Sequence, residues 1–375
     1  MSVWPSFLTV YPRNTVSGCR STAEGMTMAK AKIKIKNLYK IFGNKPDQAI
    51  ALVRQGISKQ ELLDEHKHVL GLSNINIDIP AKRIHVIMGL SGSGKSTLIR
   101  HINRLIEPTD GQVIVDGDDV MEMSSDQLIQ FRRFTASMVF QKFALLPHRT
   151  VAQNAAYGLT IQGINEREAV ERSQRWLERV GLGGFEKHFP AQLSGGMQQR
   201  VGLARALATD AEILLMDEAF SALDPLIRND MQGILLDLQK ELHKTIVFIT
   251  HDLDEALRIG DQISILRDGA VIQDGDPQDI IMRPTDDYIA DFIKDINRGR
   301  VIKVSTLMSK ASRVAGPKFE STALLEDVLT VLNQSETESG AVVDDKGKVV
   351  GKITMKDAIK AMARPQRAET GTRYK

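Results

Sequence analysis

Gly89-Leu90-Ser91-Gly92-Ser93-Gly94-Lys95-Ser96 is the stretch on which the fold turns. It fits G-x-x-x-x-G-K-[ST] and stands between an almost unbroken apolar run, Ile84 to Met88, and a helical pattern through Leu98, Ile99, Ile102 and Leu105. A short apolar run of that kind reads as a strand buried on both faces. The context is therefore strand, glycine loop, helix, which is what the motif requires. The glycines let the backbone curl until successive N–H groups face inward as an anion nest. The helix that follows adds its positive end. The predicted phosphate cradle comprises Gly89, Leu90, Ser91, Gly92, Ser93, Gly94, Lys95, Ser96 and Thr97. Lys95 is expected at the β- and γ-phosphates of a nucleotide, Ser96 on Mg²⁺, and Thr97 at the α-phosphate.

Further along, Ile213-Leu214-Leu215-Met216 is a second buried-strand run, and it ends in Asp217-Glu218. Two carboxylates leaving a buried strand are costly unless a cation or a catalytic role holds them. With a phosphate cradle in the same chain, Asp217 is expected to hold Mg²⁺ through water. Glu218 is expected to orient or deprotonate the attacking water.

Around these runs the pattern alternates between strand and helix. Lys32 to Lys36 and Ile75 to Ile79 alternate strictly, as half-buried strands do. Asn44 to His68 reads as helical, with Ser58-Lys59-Gln60-Glu61 as a capping-box pattern. Val151 to Ala208 is mainly helical, Thr245 to Ile249 is another buried strand, and Ile263 to Gln273 reads as a hairpin about Asp268-Gly269. Strands alternating with helices predict an α/β domain with a mostly parallel sheet. Composition shifts near residue 295, and Val301 to Arg364 reads as a small unit of strand, helix, strand, strand, helix. Before residue 29, a short apolar run broken by Pro5 and followed by Arg13 and Arg20 reads as disorder or an upstream extension of the reading frame, with Met26 and Met28 as alternative starts.

Bulk properties narrow the function. The 375 residues carry 49 basic and 47 acidic side chains, a net charge of +2. No strong field points to nucleic acid or an anionic membrane as the main partner. One cysteine, Cys19, excludes an internal disulfide. No stretch approaches the roughly 18 unbroken apolar residues that a membrane-spanning helix needs.

Leu193-Ser194-Gly195-Gly196-Met197-Gln198-Gln199-Arg200 resembles the signature of ABC ATPases, with Met197 where Gln is common. Other landmarks of that family fall in order. Gln141, in Val139-Phe140-Gln141, is similar to the Q-loop glutamine; Ser221-Ala222-Leu223-Asp224 resembles the D-loop; His251 is similar to the switch histidine. Phe42, in Tyr39-Lys40-Ile41-Phe42-Gly43, stands where the family places an aromatic under adenine, with Tyr39 as the fallback. The resemblance covers about residues 32–290. It implies a P-loop NTPase fold of the ABC type, a RecA-like core over 29–295 with a helical insertion at about 44–68 and a helical subdomain at about 145–208. The implied cofactors are ATP and Mg²⁺, with Ser96, Gln141 and Asp217 toward the metal. Lys95, Gln141, Glu218 and His251 are the implied catalytic set. Ser194, Gly195, Gly196 and Asp224 would meet ATP held by a second copy of the chain.

The 100 positions from Gly94 to Ser194 leave no room for a long coiled coil, and the chain holds one cassette. A transporter subunit on the cytoplasmic face of the membrane is thus expected, joined to permease subunits and served by a substrate-binding protein. A soluble ABC ATPase is the less favoured class. Asn37–Gly43, the 44–68 insertion, Val86–Arg104 and Met216–Arg228 look like the glycine betaine, proline betaine and choline importers; another small solute such as an amino acid is the alternative cargo. Val342-Val343-Asp344 and Gly351 to Asp357 resemble the end of a CBS motif, which implies an α+β regulatory unit over 301–375. Thr354 and Asp357 would then hold an adenosine-type nucleotide, or the unit would serve only as a dimerising spacer.

Overall fold

The computed structural model describes residues 31–363 except 142, 222 and 336. The expected N-terminal extension and alternative starts lie outside the described residues.

The apolar runs form the middle of a six-stranded sheet. Its strands are β3 (Ile84–Met88), β6 (Ala136–Val139), β7 (Ile213–Asp217), β8 (Thr245–Thr250), β9 (Gln262–Arg267) and β10 (Ala270–Gly275), in the order β10-β9-β3-β8-β7-β6. All neighbours are parallel except the β9–β10 hairpin. A second, antiparallel sheet holds β1 (Ala31–Phe42), β2 (Val69–Pro80), β4 (Asp110–Val115) and β5 (Asp118–Asp119), in the order β2-β1-β4-β5. The alternating runs predicted as half-buried strands lie here. Ile33, Ile35, Ile75, Ile77 and Ile79 face inward and pack on Ile87, Leu215, Val247, Ile249 and Leu266 of the parallel sheet. The opposite face of that sheet buries Val86, Met88, Leu214, Met216 and Phe248 against helices. Burial on both faces explains why the central strands read as continuous apolar runs.

Register decides where the chemistry sits. Met88 pairs with Thr250, Asp217 with Ile249, and Val139 with Met216. The loops after β3, β6, β7 and β8 therefore leave at one edge, the carboxyl ends of the strands. Open α/β sheets bind ligands there.

The insertion forms α1 (Ile50–Arg54) and α2 (Lys59–His66), around a small core of Ile41, Ala49, Val53, Leu62 and Leu70. Ser58 caps α2 by accepting from the Glu61 N–H at 3.1 Å. The cradle's helix, α3 (Lys95–Ile102), stops before Leu105, short of the expected pattern. Arg104 turns left-handed at φ 51°, and Arg132 takes the Asn103 and Arg104 carbonyls, so the helix cannot continue. Leu105 is left exposed.

α4 (Ser125–Gln130) precedes β6. A helical layer follows, of α5 (Val151–Ile161), α6 (Glu166–Arg179) and α7 (Gly195–Ala208), then α8 (Pro225–Leu242) and α9 (Leu253–Ile259) flanking β8. After the hairpin come α10 (Pro277–Met282) and α11 (Asp287–Phe292). The C-terminal unit has α12 (Val304–Leu307), β11 (Ser309–Lys310), β12 (Lys318–Glu320), α13 (Leu325–Gln334), β13 (Ser339–Val343), β14 (Val349–Thr354) and α14 (Met355–Met362), its sheet ordered β11-β14-β13-β12.

The composition change near 295 is not a break in packing. One core runs from the parallel sheet and its helices through Ile280, Ile281, Ile289 and Ile293 into Ile302, Leu325, Ala358 and Ala361. Arg298, 7 % exposed, fastens the join: Nε donates to the Ala361 carbonyl at 2.7 Å and an Nη to the Ile281 carbonyl at 3.3 Å.

Two histidines buried in the sheet and in α3 predict an acid-sensitive fold. His85 of β3 is fully buried, its Nε2 2.7 Å from Ser264 Oγ, which itself donates to Asp274 at 2.5 Å. His101 of α3 donates from Nδ1 to the Thr97 carbonyl at 2.7 Å. Burial holds both well below the ordinary histidine range, at about 4, against the weaker opposing pulls of Asp274 and of the Thr97 carbonyl. The unfolded chain takes up these protons near pH 6.5. Between about pH 6.5 and 4 it binds more protons than the folded chain, so stability falls as pH drops. Each histidine contributes about 2 kcal/mol of loss from pH 7 to 5. Urea midpoints at pH 7 and 5 check this. His85→Gln should lose roughly half of the two-histidine pH slope; an unchanged slope rules out His85 as a source.

Candidate active site

The cradle is built from left-handed glycines. Gly92 has φ +80° and Gly94, which precedes the first residue of α3, has φ +101°. A Cβ on Gly94 would lie 2.7 Å from the Gly71 carbonyl oxygen; one on Gly89 would lie 2.1 Å from that of Leu266. The loop thus rests directly on the backbones of β2 and β9. Lys95 is 4 % exposed and turns back to donate to the carbonyls of Gly89 at 2.8 Å and Leu90 at 3.0 Å. Burial presses its ammonium below the usual lysine range, and Glu218 and Asp217 pull the other way. Ser93 is 5 % exposed, and its Oγ has no partner among the described residues. Thr97 follows in the first turn of α3, its carbonyl taken by His101.

Asp217 is fully buried at the end of β7. It accepts from Ser96 Oγ at 2.7 Å and from an Nη of Arg100 at 3.2 Å. Sequence reasoning missed Arg100, although it lies four residues after Ser96 on the same helix face. Mg²⁺ ordinarily takes one or two carboxylates and completes its shell with phosphates and water. A single buried carboxylate beside a serine hydroxyl and an unpartnered hydroxyl in the cradle fits that need.

Glu218 stands in the left-handed region, φ +47°. A non-glycine residue there costs about 1–3 kcal/mol and persists only where its surroundings hold it. Its N–H donates to the Ile249 carbonyl at 3.1 Å, and its own carbonyl accepts from the N–H and Oγ of Ser221 at 3.2 and 2.9 Å. The strained backbone brings the carboxylate out to Gln141, whose Nε2 donates to Oε2 at 2.8 Å, and to His251, whose Nδ1 is 3.7 Å from Oε1. Gln141, expected toward the metal, here has its amide on Glu218. Residues 77 and 33 positions from Glu218 thus meet at one carboxylate, beside Ser96 and Asp217.

The signature and D-loop residues stand apart. Ser194 caps α7, accepting from Met197 N–H at 3.3 Å; Gly195 and Gly196 open the helix. Among the described residues no hydrogen bond ties these three to the cradle. A Cβ on Gly196 would lie 2.9 Å from Leu223 Cδ2, so this helix start is pressed against the D-loop. Asp224 caps α8, accepting from Ile227 N–H at 3.1 Å. Arg228 joins that region to the switch loop, pairing with Asp252 at 3.2 Å and donating to the Leu223 carbonyl at 3.3 Å. Ala222 lies outside the described residues.

Phe42 is 40 % exposed at the end of β1, with Lys40 Nζ 5.1 Å from its ring centre. Its ring lies against Gly71, the residue whose carbonyl meets Gly94. Tyr39 is half-buried beneath Arg54 and packs with the insertion, leaving Phe42 as the accessible aromatic. In the C-terminal unit, Thr354 caps α14, its Oγ1 accepting from Asp357 N–H at 3.1 Å and donating to the Asp357 carboxylate at 2.6 Å.

A sequence profile described as ABC transporter matches residues 72–221. The chain is 49 % identical over 330 residues to the glycine betaine transport ATP-binding protein OpuAA of Bacillus subtilis, covering 88 % of this chain and 78 % of the relative. It is 45 % identical over 337 residues to the glycine betaine/proline betaine transport system ATP-binding protein ProV of Escherichia coli, covering 89 % and 84 %. Among solved structures, the dimeric bacterial ABC transporter cassette MJ0796 superposes with a TM-score of 0.57 at 33 % identity, covering 65 % of this chain and 98 % of that one.

Proposed function

Because this chain belongs to the ABC transporter ATPases, and within them to the glycine betaine transport ATP-binding proteins, we propose that it drives uptake of quaternary-amine osmoprotectants by hydrolysing ATP in a dimer of two copies. The observation that carries the reading is the meeting of Gln141, Glu218 and His251 at one carboxylate beside the cradle. That arrangement gives one positioned carboxylate, held by a donor from Gln141 with the His251 imidazole 3.7 Å away, next to the place where a γ-phosphate would sit.

Each chain binds ATP on its own cradle. Phe42 stacks on adenine. The N–H groups of Gly89–Thr97 and the Lys95 ammonium hold the phosphates. Ser96, Asp217 and Gln141 would hold Mg²⁺, which when bound offsets phosphate charge. Glu218 takes a proton from the attacking water, and His251 steadies the γ-phosphate. Ser194, Gly195, Gly196 and Asp224 close over ATP held by the second copy, through the helix start that stands free of its own cradle. The dimeric state of the solved cassette supports this arrangement.

No helix among the described residues is long and apolar enough to cross a membrane, and in this reading the transport path is supplied by permease subunits. A groove of about 350 Å³ suits their docking. Leu105, Met138, Phe140, Tyr157 and Ile161 line it, with Arg132 and Arg205 at its rim. Phe140, in its lining, directly precedes Gln141, so a docked permease helix would press on the chain neighbour of the residue that contacts Glu218. The chain then sits peripherally on the cytoplasmic face, with a substrate-binding protein delivering solute from the other side. The C-terminal unit is read as a CBS-like module with Thr354 and Asp357 toward a nucleotide.

The cargo is tested on the complex of this chain with its permease and binding protein in vesicles. Glycine betaine, proline betaine or choline should raise ATP turnover severalfold over the solute-free rate, and amino acids should not. Stimulation by an amino acid alone would replace the quaternary amine as cargo.

A further inference from the structure

The hairpin turn Arg267-Asp268-Gly269 touches three parts of the molecule that are far apart in sequence. Gly269 donates its N–H to the Ser93 carbonyl in the cradle at 3.1 Å, and its own carbonyl accepts from Ser73 of β2 at 2.7 Å. At φ +80° its missing Cβ would lie 2.6 Å from the Gly71 oxygen. With Gly89 on the Leu266 carbonyl and Gly94 on that of Gly71, cradle and turn meet backbone to backbone. No flexible side chain cushions that contact, so a shift of the turn passes to the loop undiminished.

The two residues before Gly269 are held from opposite sides. Asp268 pairs with Lys59 of the insertion at 3.5 Å. Arg267 pairs with Asp286, the cap of α11, at 2.9 Å, and its guanidinium lies 4.9 Å from the Tyr288 ring centre. Burial raises the Tyr288 hydroxyl above its ordinary range, against the pull of Arg267 and of a backbone hydrogen bond from Leu90 in the cradle. Tyr288 stacks on Phe292 at 6.0 Å, and α11 packs through Ile289 into the core that continues to Ala358 and Ala361. The path from the C-terminal unit to the phosphates is therefore unbroken: α14, the shared core, α11, Arg267, Gly269, Ser93.

We infer that Arg267 is a positioning residue for nucleotide binding, holding the phosphate cradle in register by clamping the hairpin turn to α11 and so linking the C-terminal unit to the ATP site. The inference rests on reading the cradle as the ATP site. It separates binding from chemistry, because the clamp reaches the loop under the phosphates and not Glu218.

The test uses the full-length chain, a fluorescent N-methylanthraniloyl ATP with Mg²⁺, and steady-state ATPase assays. Arg267→Ala and Asp286→Ala should each raise Kd and KM about fivefold, with kcat at saturating ATP changed less than twofold. The effects of the double variant should be clearly less than the product of the two singles, since the Arg267–Asp286 pair is lost in both while the Tyr288 contact and the α11 cap are lost in one each. Arg267→Lys should recover most of the affinity. Amide exchange in Arg267→Ala should quicken in the peptide covering 89–97 and stay slow in β7 and β8. Unchanged affinity in folded variants, multiplying effects, or quickened exchange across the whole sheet would each overturn the inference. Should Arg267→Ala not fold, Asp286→Asn serves instead, since it keeps an oxygen to cap α11 while removing the charge that pairs with Arg267: about a twofold rise in Kd is expected, and no rise overturns the clamp. A wild-type chain that binds no nucleotide would overturn the ATP reading along with it.

Discussion

Glu218→Gln should lower ATP turnover by about two to four orders of magnitude while leaving ATP affinity within a few-fold of wild type. The substitution is nearly isosteric. The amide oxygen still accepts from Gln141, and the left-handed backbone, fixed by Ile249 and Ser221, does not depend on charge. What disappears is basicity: a carboxamide cannot take a proton from water. ATP then persists between the two half-sites, and the dimer should elute as a closed, nucleotide-loaded species in gel filtration where wild type dissociates after hydrolysis. Turnover within tenfold of wild type would remove Glu218 as the base. It would point instead to His251, 3.7 Å away, as the group that activates the water.

Mixing two defective variants, at ATP held well below the Kd of the weakened cradle, should restore activity. Lys95→Ala removes the buried ammonium that anchors the phosphates, a loss of about tenfold to a hundredfold in affinity from one charge-assisted contact. Gly196→Asp places a carboxylate at the helix start meant for a γ-phosphate, opposing the helix dipole, and its Cβ collides with Leu223. Each homodimer is then defective at both sites. A heterodimer has one site of intact parts, the cradle of the Gly196→Asp chain and the signature of the Lys95→Ala chain. Equal mixing produces such sites at about a quarter of the wild-type number, following from two-fold exchange of equivalent subunits. ATPase activity of the mixture near that fraction is expected. A mixture as inactive as its components would show that cradle and signature do not come from different chains.

The chemistry was legible wherever it is local in the chain. A glycine loop that curls around an anion, a lysine and a serine at its end, and two carboxylates closing an apolar strand need only short-range geometry, so Gly89–Thr97 and Asp217-Glu218 read directly. The strand assignments followed the same way, because burial on two faces or one prints continuous or alternating apolar patterns. The end of α3 was misjudged at Leu105 because Arg104 and Arg132 stop it through tertiary hydrogen bonds. Beyond the change in composition near 295, Val304, Phe319, Val328, Leu332, Val342 and Ile353 form a core of their own, while Ile302, Leu325, Ala358 and Ala361 join the larger one.

By itself the sequence determined which residues could do the work, since each motif's chemistry is carried by neighbours a few positions apart. Only the tertiary structure decided how they meet. It set the left-handed strain at Glu218, the pairing of Arg100 with Asp217, the preference for Phe42 over Tyr39 as the accessible ring, and the Arg267–Gly269 turn under the cradle. These depend on strand register and on tertiary contacts between segments separated in the chain, from Arg54 on Tyr39 to Ser93 on Gly269, and such contacts leave no periodicity along the chain to be read.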